Sequence, residues 1–341
     1  MAVTLRTGTG ARSSRIMGLG TYRPHREVSN TELCEAIDST EEWIETRSGI
    51  IHRRFAGPAE TLRAMATSAG RAALAHAGLA AEQVDCVVLA TLTNLVQTPP
   101  GAFAVARDLG AVHAAGFDLS GACAGFCQAL AVASDAVCLG NAEYVLVIGA
   151  ERMTDVVDPS DRTVAFMFAD GAGAVVVGPS ERPGIGPVVR GSDTSGWAAV
   201  WMSSSWTDFA DDPAAGRPSL QMDGRKVFRW AVDSVVPAAR CAVERAGIGL
   251  AELSAFIPHQ ANLRIVDLIA DRLELPSQVA VARDAAHSGN TSAASVPLAM
   301  DRLMRDGGVA PGDAALLMGF GAGLNYAGQV VLLPPAPADA D

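Results

Sequence analysis

Ala77-Gly-Leu-Ala-Ala-Glu-Gln-Val84, followed by the apolar run Cys86-Val-Val-Leu-Ala90, returns 169 residues later as Ala246-Gly-Ile-Gly-Leu-Ala-Glu-Leu253, followed by Ala255-Phe-Ile-Pro-His259. Each copy reads as a glycine-terminated helix end, a short turn and a buried strand. Two further landmarks recur at nearly the same distance. Ser120-Gly121 before one apolar helical run matches Ser288-Gly289 before another, offset by 168, and Gly149 after the Val145–Ile148 run matches Gly319 after Ala315–Met318, offset by 170. A duplicated α/β unit is the economical explanation, because the period is far longer than that of a solenoid. Continuous apolar strands alternating with helices predict mainly parallel sheets covered on both faces.

The organisation follows from that repeat. Residues 1–14 read as a polar leader, 15–186 as the first half, 187–334 as the second, and 335–341 as a tail. Residues 191–222 do not fit the repeat and read as an insertion rich in Ser, Asp and Pro, with Trp197, Trp201 and Trp206. Irregular segments of this kind cover a site more often than they fill a core. The 341 residues suffice for two such halves, and an apolar fraction of 49% suits a well-packed globular chain.

A net charge of −11 argues against a broad nucleic-acid-binding surface, although a local basic patch could still receive an acidic partner. The six cysteines form no CxxC pair, which points to reduced thiols and not to a disulfide framework or a zinc site. Neither a signal-type apolar segment nor a run of ~18 apolar residues is present, so a cytoplasmic protein outside the membrane is expected.

The chemistry centres on Asp118-Leu-Ser-Gly-Ala-Cys-Ala-Gly-Phe-Cys127, which joins a strand to the apolar helical run 129–139. Cys123 sits at that helix's N-terminus among small residues, where free N–H groups and positive potential stabilise a thiolate. A free cysteine in such a run can equally be a small buried hydrophobe, and the stretch alone leaves both readings open. In the other half, His259 ends a strand, the position at which α/β sheets bind ligands, and Asn290 lies in a small-residue turn before a helix. Gly319-Phe-Gly-Ala-Gly-Leu324 offers tightly turned backbone suited to an oxyanion hole. Pseudo-equivalent loops of a duplicated fold face one another, which would gather these groups at one centre.

Ala122-Cys-Ala-Gly-Phe126, Ile257-Pro-His-Gln-Ala-Asn-Leu-Arg-Ile265, Gly289-Asn-Thr-Ser-Ala-Ala-Ser-Val-Pro297 and Gly319-Phe-Gly-Ala-Gly323 resemble the motifs of β-ketoacyl-[acyl-carrier-protein] synthase III, of the thiolase-like superfamily. The resemblance runs from about residue 15 to 333 and takes in Glu42-Trp-Ile-Glu-Thr-Arg47 and Asp161-Arg162. It implies a thiolase-like α/β fold of duplicated βαβαβαββ halves in five layers, αβαβα. It also implies a Cys123–His259–Asn290 triad that condenses an acyl-CoA starter with malonyl-acyl-carrier-protein, with loss of CO₂. Neither a metal nor a redox cofactor is implied. Cys123 and Ala322 would supply the oxyanion-hole N–H groups. Trp43 and Arg162 match the pair that sandwiches the CoA adenine, Arg47 a CoA-phosphate contact and Asn262 a residue near the pantetheine. Arg229, Arg264 and Arg272 align with the patch that receives the acyl carrier protein, and a homodimer is expected.

The departures concern the starter. Thr98 stands where acetyl-primed members tend to carry a Phe that enters the partner subunit's pocket, so a starter larger than acetyl, branched or of medium length, is expected. Fatty acid synthesis and polyketide priming both remain open. The chief alternative is a CoA-dependent acyltransferase that forms no carbon–carbon bond. The complete Cys-His-Asn set disfavours it, and an intact Cys123 disfavours a non-catalytic subunit.

Overall fold

The computed structural model describes residue 10 and residues 13–336, so most of the expected leader and tail lies outside the described residues. Two five-stranded sheets dominate. The first contains β1 (Ser13–Tyr22), β2 (Cys86–Ala90), β3 (Ala115–Leu119), β4 (Val145–Arg152) and β5 (Asp170–Ser180), in spatial order β1-β5-β4-β2-β3. The second contains β6 (Val189–Ser192), β7 (Ala255–Pro258), β8 (Ala280–Val281), β9 (Ala314–Gly321) and β10 (Asn325–Leu332), in the order β6-β10-β9-β7-β8. The duplication is therefore strand for strand.

The sheets are mixed, not mainly parallel. β2 and β7 run parallel to both neighbours, whereas β5 and β10 run antiparallel to theirs. β10 follows β9 through a three-residue turn and β5 follows β4 without a crossover helix, and a direct return of this kind is antiparallel. Every central strand is buried on both faces, so the apolar runs carry no sign of direction.

The helices make the other three layers. The labelled ones are α1 (Glu41–Ser48), α2 (Leu62–Ala77), α3 (Gly101–Leu109), α4 (Gly125–Cys138), α5 (Gly224–Arg245), α6 (Leu263–Leu273) and α7 (Ser295–Arg305). α4 and α7 pack between the sheets in one central core with Val88, Val147, Ile257 and Leu317. Gly125-Phe-Cys-Gln-Ala-Leu-Ala-Val-Ala133 is apolar around most of its circumference, as a helix between two sheets must be. α2 and α3 cover the outer face of the first sheet, and α5 and α6 that of the second. α2 accordingly buries only one stripe, through Met65, Ala69 and Ala73.

Each central helix is entered through a single 3-10 turn, Ala122–Ala124 before α4 and Ser292–Ala294 before α7. Their offset of 170 places Ala122 against Ser292 and Cys123 against Ala293. The Ser-Gly landmark at 168 is thus two residues out of register with the structural repeat.

The segment 191–222 is more ordered than its composition suggests. Val200–Met202 and Leu220–Met222 form a two-stranded ladder whose side chains pack with Met153, Val156 and Phe166. Its Gly196 lies against Leu324, so it covers the chain that leaves β9. The three tryptophans face outward, Trp197 being 68% exposed. Among the described residues no helix is long and apolar enough to cross a membrane.

Candidate active site

Cys123 occupies the turn between β3 and α4, next to Ala122, whose φ of 45° is unusual for a residue with a side chain. It packs on the end of β9. A Cβ on Gly321 would lie 2.8 Å from Cys123 Cβ and 2.9 Å from its sulfur, so only glycine leaves the thiol its place. The next residue, Ala322, brings its backbone N–H toward the sulfur, and this group and the N–H of Cys123 itself both pull the thiol down. The two expected oxyanion donors therefore converge on one point. Burial pushes the thiol up to about 11, against opposing pulls from the Ser292 hydroxyl and these N–H groups. The sequence expectation of a lowered value is reversed, because withdrawal from water outweighs the helix terminus. At neutral pH Cys123 therefore rests as a thiol.

His259 follows β7, beside β9, and its N–H donates to Met318 O at 2.7 Å. Its ring stands edge-on to Phe320 at 5.4 Å, and its Nδ1 lies 2.7 Å from Ser295 Oγ. Ser295 Oγ also accepts the Gln260 N–H at 3.3 Å, and when its own proton goes to Nδ1 the ring carries its proton on Nε2. Burial lowers the imidazole to about 3, so it is neutral at neutral pH. Asn290 is fixed by its N–H to Met167 O at 2.8 Å and by its carbonyl, which accepts from Ala169 N at 2.9 Å. Its Oδ1 accepts the Ser292 N–H at 2.9 Å, so the amide NH₂ is the end left for a ligand. Both side chains are nearly inaccessible. Cys123, His259 and Asn290 thus gather around the end of β9 and the entries to the two central helices.

The other expected contacts lie further out. Arg47 and Arg162 place their guanidinium carbons 5.8 and 5.2 Å from the Trp43 ring centroid. Arg162 rests directly on the indole and leaves no gap for a planar base, so a sandwich requires it to swing away. Asn262 caps α6, its Oδ1 accepting from Ile265 N at 3.0 Å. Arg229 on α5 and Arg264 and Arg272 on α6 are exposed, on two helices packed against each other. Thr98 is exposed in the loop 91–100. Among the described residues no cluster of three or more His, Cys, Asp or Glu side chains is arranged to hold a metal.

Three residues at the centre escape a reading of the sequence: Glu151, Ser292 and Ser295. A signal for Glu151 is present, since it is a lone carboxylate at the end of the apolar run Val145-Leu-Val-Ile-Gly-Ala150. The serines are hidden within the Asn290 motif.

Known proteins match throughout. The sequence profile of 3-oxoacyl-[acyl-carrier-protein (ACP)] synthase III matches residues 117–194, and that of its C-terminal part residues 243–333. A β-ketoacyl-[acyl-carrier-protein] synthase III of Streptomyces lividans is 59% identical over 327 residues, 96% of each chain. The crystal structure of the priming β-ketosynthase from the R1128 polyketide biosynthetic pathway superposes with a TM-score of 0.96 at 59% identity, covering 98% of this chain and 99% of that one. A 3-oxoacyl-(acyl carrier protein) synthase III from Pseudomonas aeruginosa gives a TM-score of 0.89 at 36% identity, over 96% and 100%.

Proposed function

The chain belongs to the β-ketoacyl-[acyl-carrier-protein] synthase III family and is a condensing acyltransferase, and from that premise we propose which residues carry each step and which starter it takes. Cys123 attacks the thioester of an acyl-CoA and becomes acylated, expelling the CoA thiolate. Malonyl-acyl-carrier-protein then replaces CoA. Its thioester oxygen gains negative charge as CO₂ departs, and His259 Nε2–H and the Asn290 NH₂ donate to it. Both donors are neutral, so they stabilise the enolate without protonating it. The carbanion attacks the acyl-Cys123 carbonyl, whose oxyanion is held by the N–H groups of Cys123 and Ala322. Donors of this kind are worth roughly 3 kcal/mol each in related chemistries.

The observation that carries this reading is the packing of the Cys123 sulfur on the end of β9 at Gly321, next to the Ala322 N–H, in a fold that also buries a neutral His259 after the neighbouring strand β7. The scheme uses only side-chain and backbone groups, and we propose no cofactor. Trp43, Arg47, Arg162 and Asn262 are assigned to CoA, and Arg229, Arg264 and Arg272 to the acidic carrier protein, since a local positive field suffices on an acidic enzyme. Among the described residues β3 is a sheet edge, with exposed Phe117 on it and exposed Phe103 on the adjoining α3, which supports a homodimer through that edge.

We propose a starter larger than acetyl, branched or of medium length, in a priming role. Thr98 in place of a bulkier side chain and the likeness to a priming β-ketosynthase support it. The test is intact-protein mass spectrometry with a panel of acyl-CoAs, followed by malonyl-acyl-carrier-protein. Branched or C4–C8 groups should load on Cys123 and be discharged as β-ketoacyl products. Loading by acetyl-CoA alone would remove the Thr98 argument, and an acyl group that malonyl-carrier protein cannot discharge would favour simple acyl transfer.

A further inference from the structure

Glu151, the next-to-last residue of β4, is fully buried and has no cationic partner among the described residues. Its Oε2 accepts from Thr93 Oγ1 at 2.7 Å, Thr91 Oγ1 at 3.1 Å, Leu92 N at 3.1 Å and Thr93 N at 3.2 Å. Its Oε1 accepts from Ser292 Oγ at 3.0 Å. Such a ring of donors is arranged for a carboxylate. Burial nevertheless pushes it up to about 7, so both charge states are accessible near neutral pH. The turn Ser292–Ala294 packs against the turn Ala122–Ala124 that holds Cys123, which brings the same Ser292 hydroxyl to the Cys123 side of the carboxyl. Ser292 is held at φ 48°, a conformation that residues with side chains rarely adopt and that clusters at functional sites. The ionisable group that faces the carboxyl is Cys123, from the turn before α4, and the buried His259 elsewhere in the site is neutral. The neighbouring Arg152 turns instead to Asp155 at 3.5 Å.

We propose that Glu151 takes the proton of Cys123 through the Ser292 hydroxyl on acylation, stores it while the acyl group occupies the sulfur, and returns it when the product leaves. This rests on the reading of Cys123 as the acylated nucleophile. In loading, the S–H proton passes to Ser292 Oγ as the serine proton passes to Glu151. The sulfur forms its bond to the acyl carbon, the bond from that carbon to the CoA sulfur breaks, and the CoA thiolate takes a proton from water. In condensation, malonyl loses CO₂, the new carbon–carbon bond forms, and the acyl–sulfur bond breaks to leave the Cys123 thiolate. Glu151 reprotonates it by the reverse path. One proton is drawn from water per turnover, as replacing the malonyl carboxylate by a neutral ketone requires. His259 must keep its Nε2 proton as a donor throughout, so the thiol proton needs another resting place.

The test is to measure the two half-reactions separately in Glu151→Gln and Ser292→Ala, each compared with the unmodified enzyme for folding by thermal unfolding. Rapid-quench mass spectrometry follows acylation of Cys123, and CO₂ release follows decarboxylation of malonyl-carrier protein. Acylation at pH 7 should fall about 100-fold in E151Q, in keeping with general-base contributions. The inflection near neutrality in its pH profile should vanish, while decarboxylation holds. S292A should fall in the same step and carries the test if E151Q does not fold. Wild-type loading in E151Q, or equal loss of both half-reactions, would overturn the proposal. Failure of the unmodified enzyme to acylate Cys123 at all would instead sink the nucleophile assignment beneath it.

Discussion

The turns that enter α4 and α7 share a backbone and differ in what they carry. Ala122 and Ser292 have φ values of 45° and 48°, yet one turn presents Cys123 where the other has Ala293. The strand ends around them alternate in the same way. His259 stands where the first half has Ala90, and Gly321 stands where it has Glu151. Gly321 leaves room for the Cys123 sulfur, and at the equivalent place Glu151 reaches across to Ser292. A symmetric scaffold has thus become an asymmetric site. One half supplies Cys123, and the other supplies His259 and Asn290.

That division can be broken directly. His259→Ala and Asn290→Ala each remove one donor to the enolate, so CO₂ release from malonyl-carrier protein should fall by roughly 10² to 10³-fold. Acylation of Cys123 should stay near its normal rate, because neither side chain donates to that sulfur. Quenched-flow mass spectrometry beside a CO₂ assay separates the two. Equal losses in both would mean that the halves do not divide the work.

The next largest effect sharpens the contact between the halves. In Gly321→Ala the new methyl would lie 2.9 Å from Cys123 Sγ, so the thiol must move. Displacements of about 1 Å cost on the order of 100-fold in well-oriented reactions, and acyl loading should fall by that much. Gly321 has an extended φ of 168°, so the substitution adds no backbone strain and the fold should persist. A normal loading rate would show that Gly321 does not set the position of the nucleophile.

Much of this is legible in the order of the residues. The 169-residue echo carries the duplication, and the residues around Cys123 place it at the strand-to-helix turn it occupies, because chain direction and small residues are local properties. Sheet direction is not legible there, since strands buried on both faces look alike whether parallel or antiparallel. Nor is the protonation state of the site. A helix N-terminus argues for a thiolate, but the opposing burial depends on the other half of the chain. Glu151 and Ser292 lie 141 residues apart, and only the folded core makes them partners.

The smallest effect sets the two halves against each other in stability. Burial lowers His259 to about 3 from an ordinary 6.5, so between those values the unfolded chain binds the proton that the native one refuses. That contribution makes stability fall as pH falls, by about 1.4 kcal/mol per pH unit. Burial raises Glu151 from 4.5 to about 7, so in that window the native state binds more protons, and its contribution makes stability rise as pH falls. Between about pH 5 and 6.5 the two slopes oppose each other. Urea unfolding across that range should show a dependence in E151Q that is steeper toward acid loss than in the unmodified enzyme, and one tilted the opposite way in His259→Gln. Identical slopes in all three proteins would mean that these groups titrate alike in the folded and unfolded states. The resting picture of a neutral imidazole beside a carboxyl poised near neutrality would then fall.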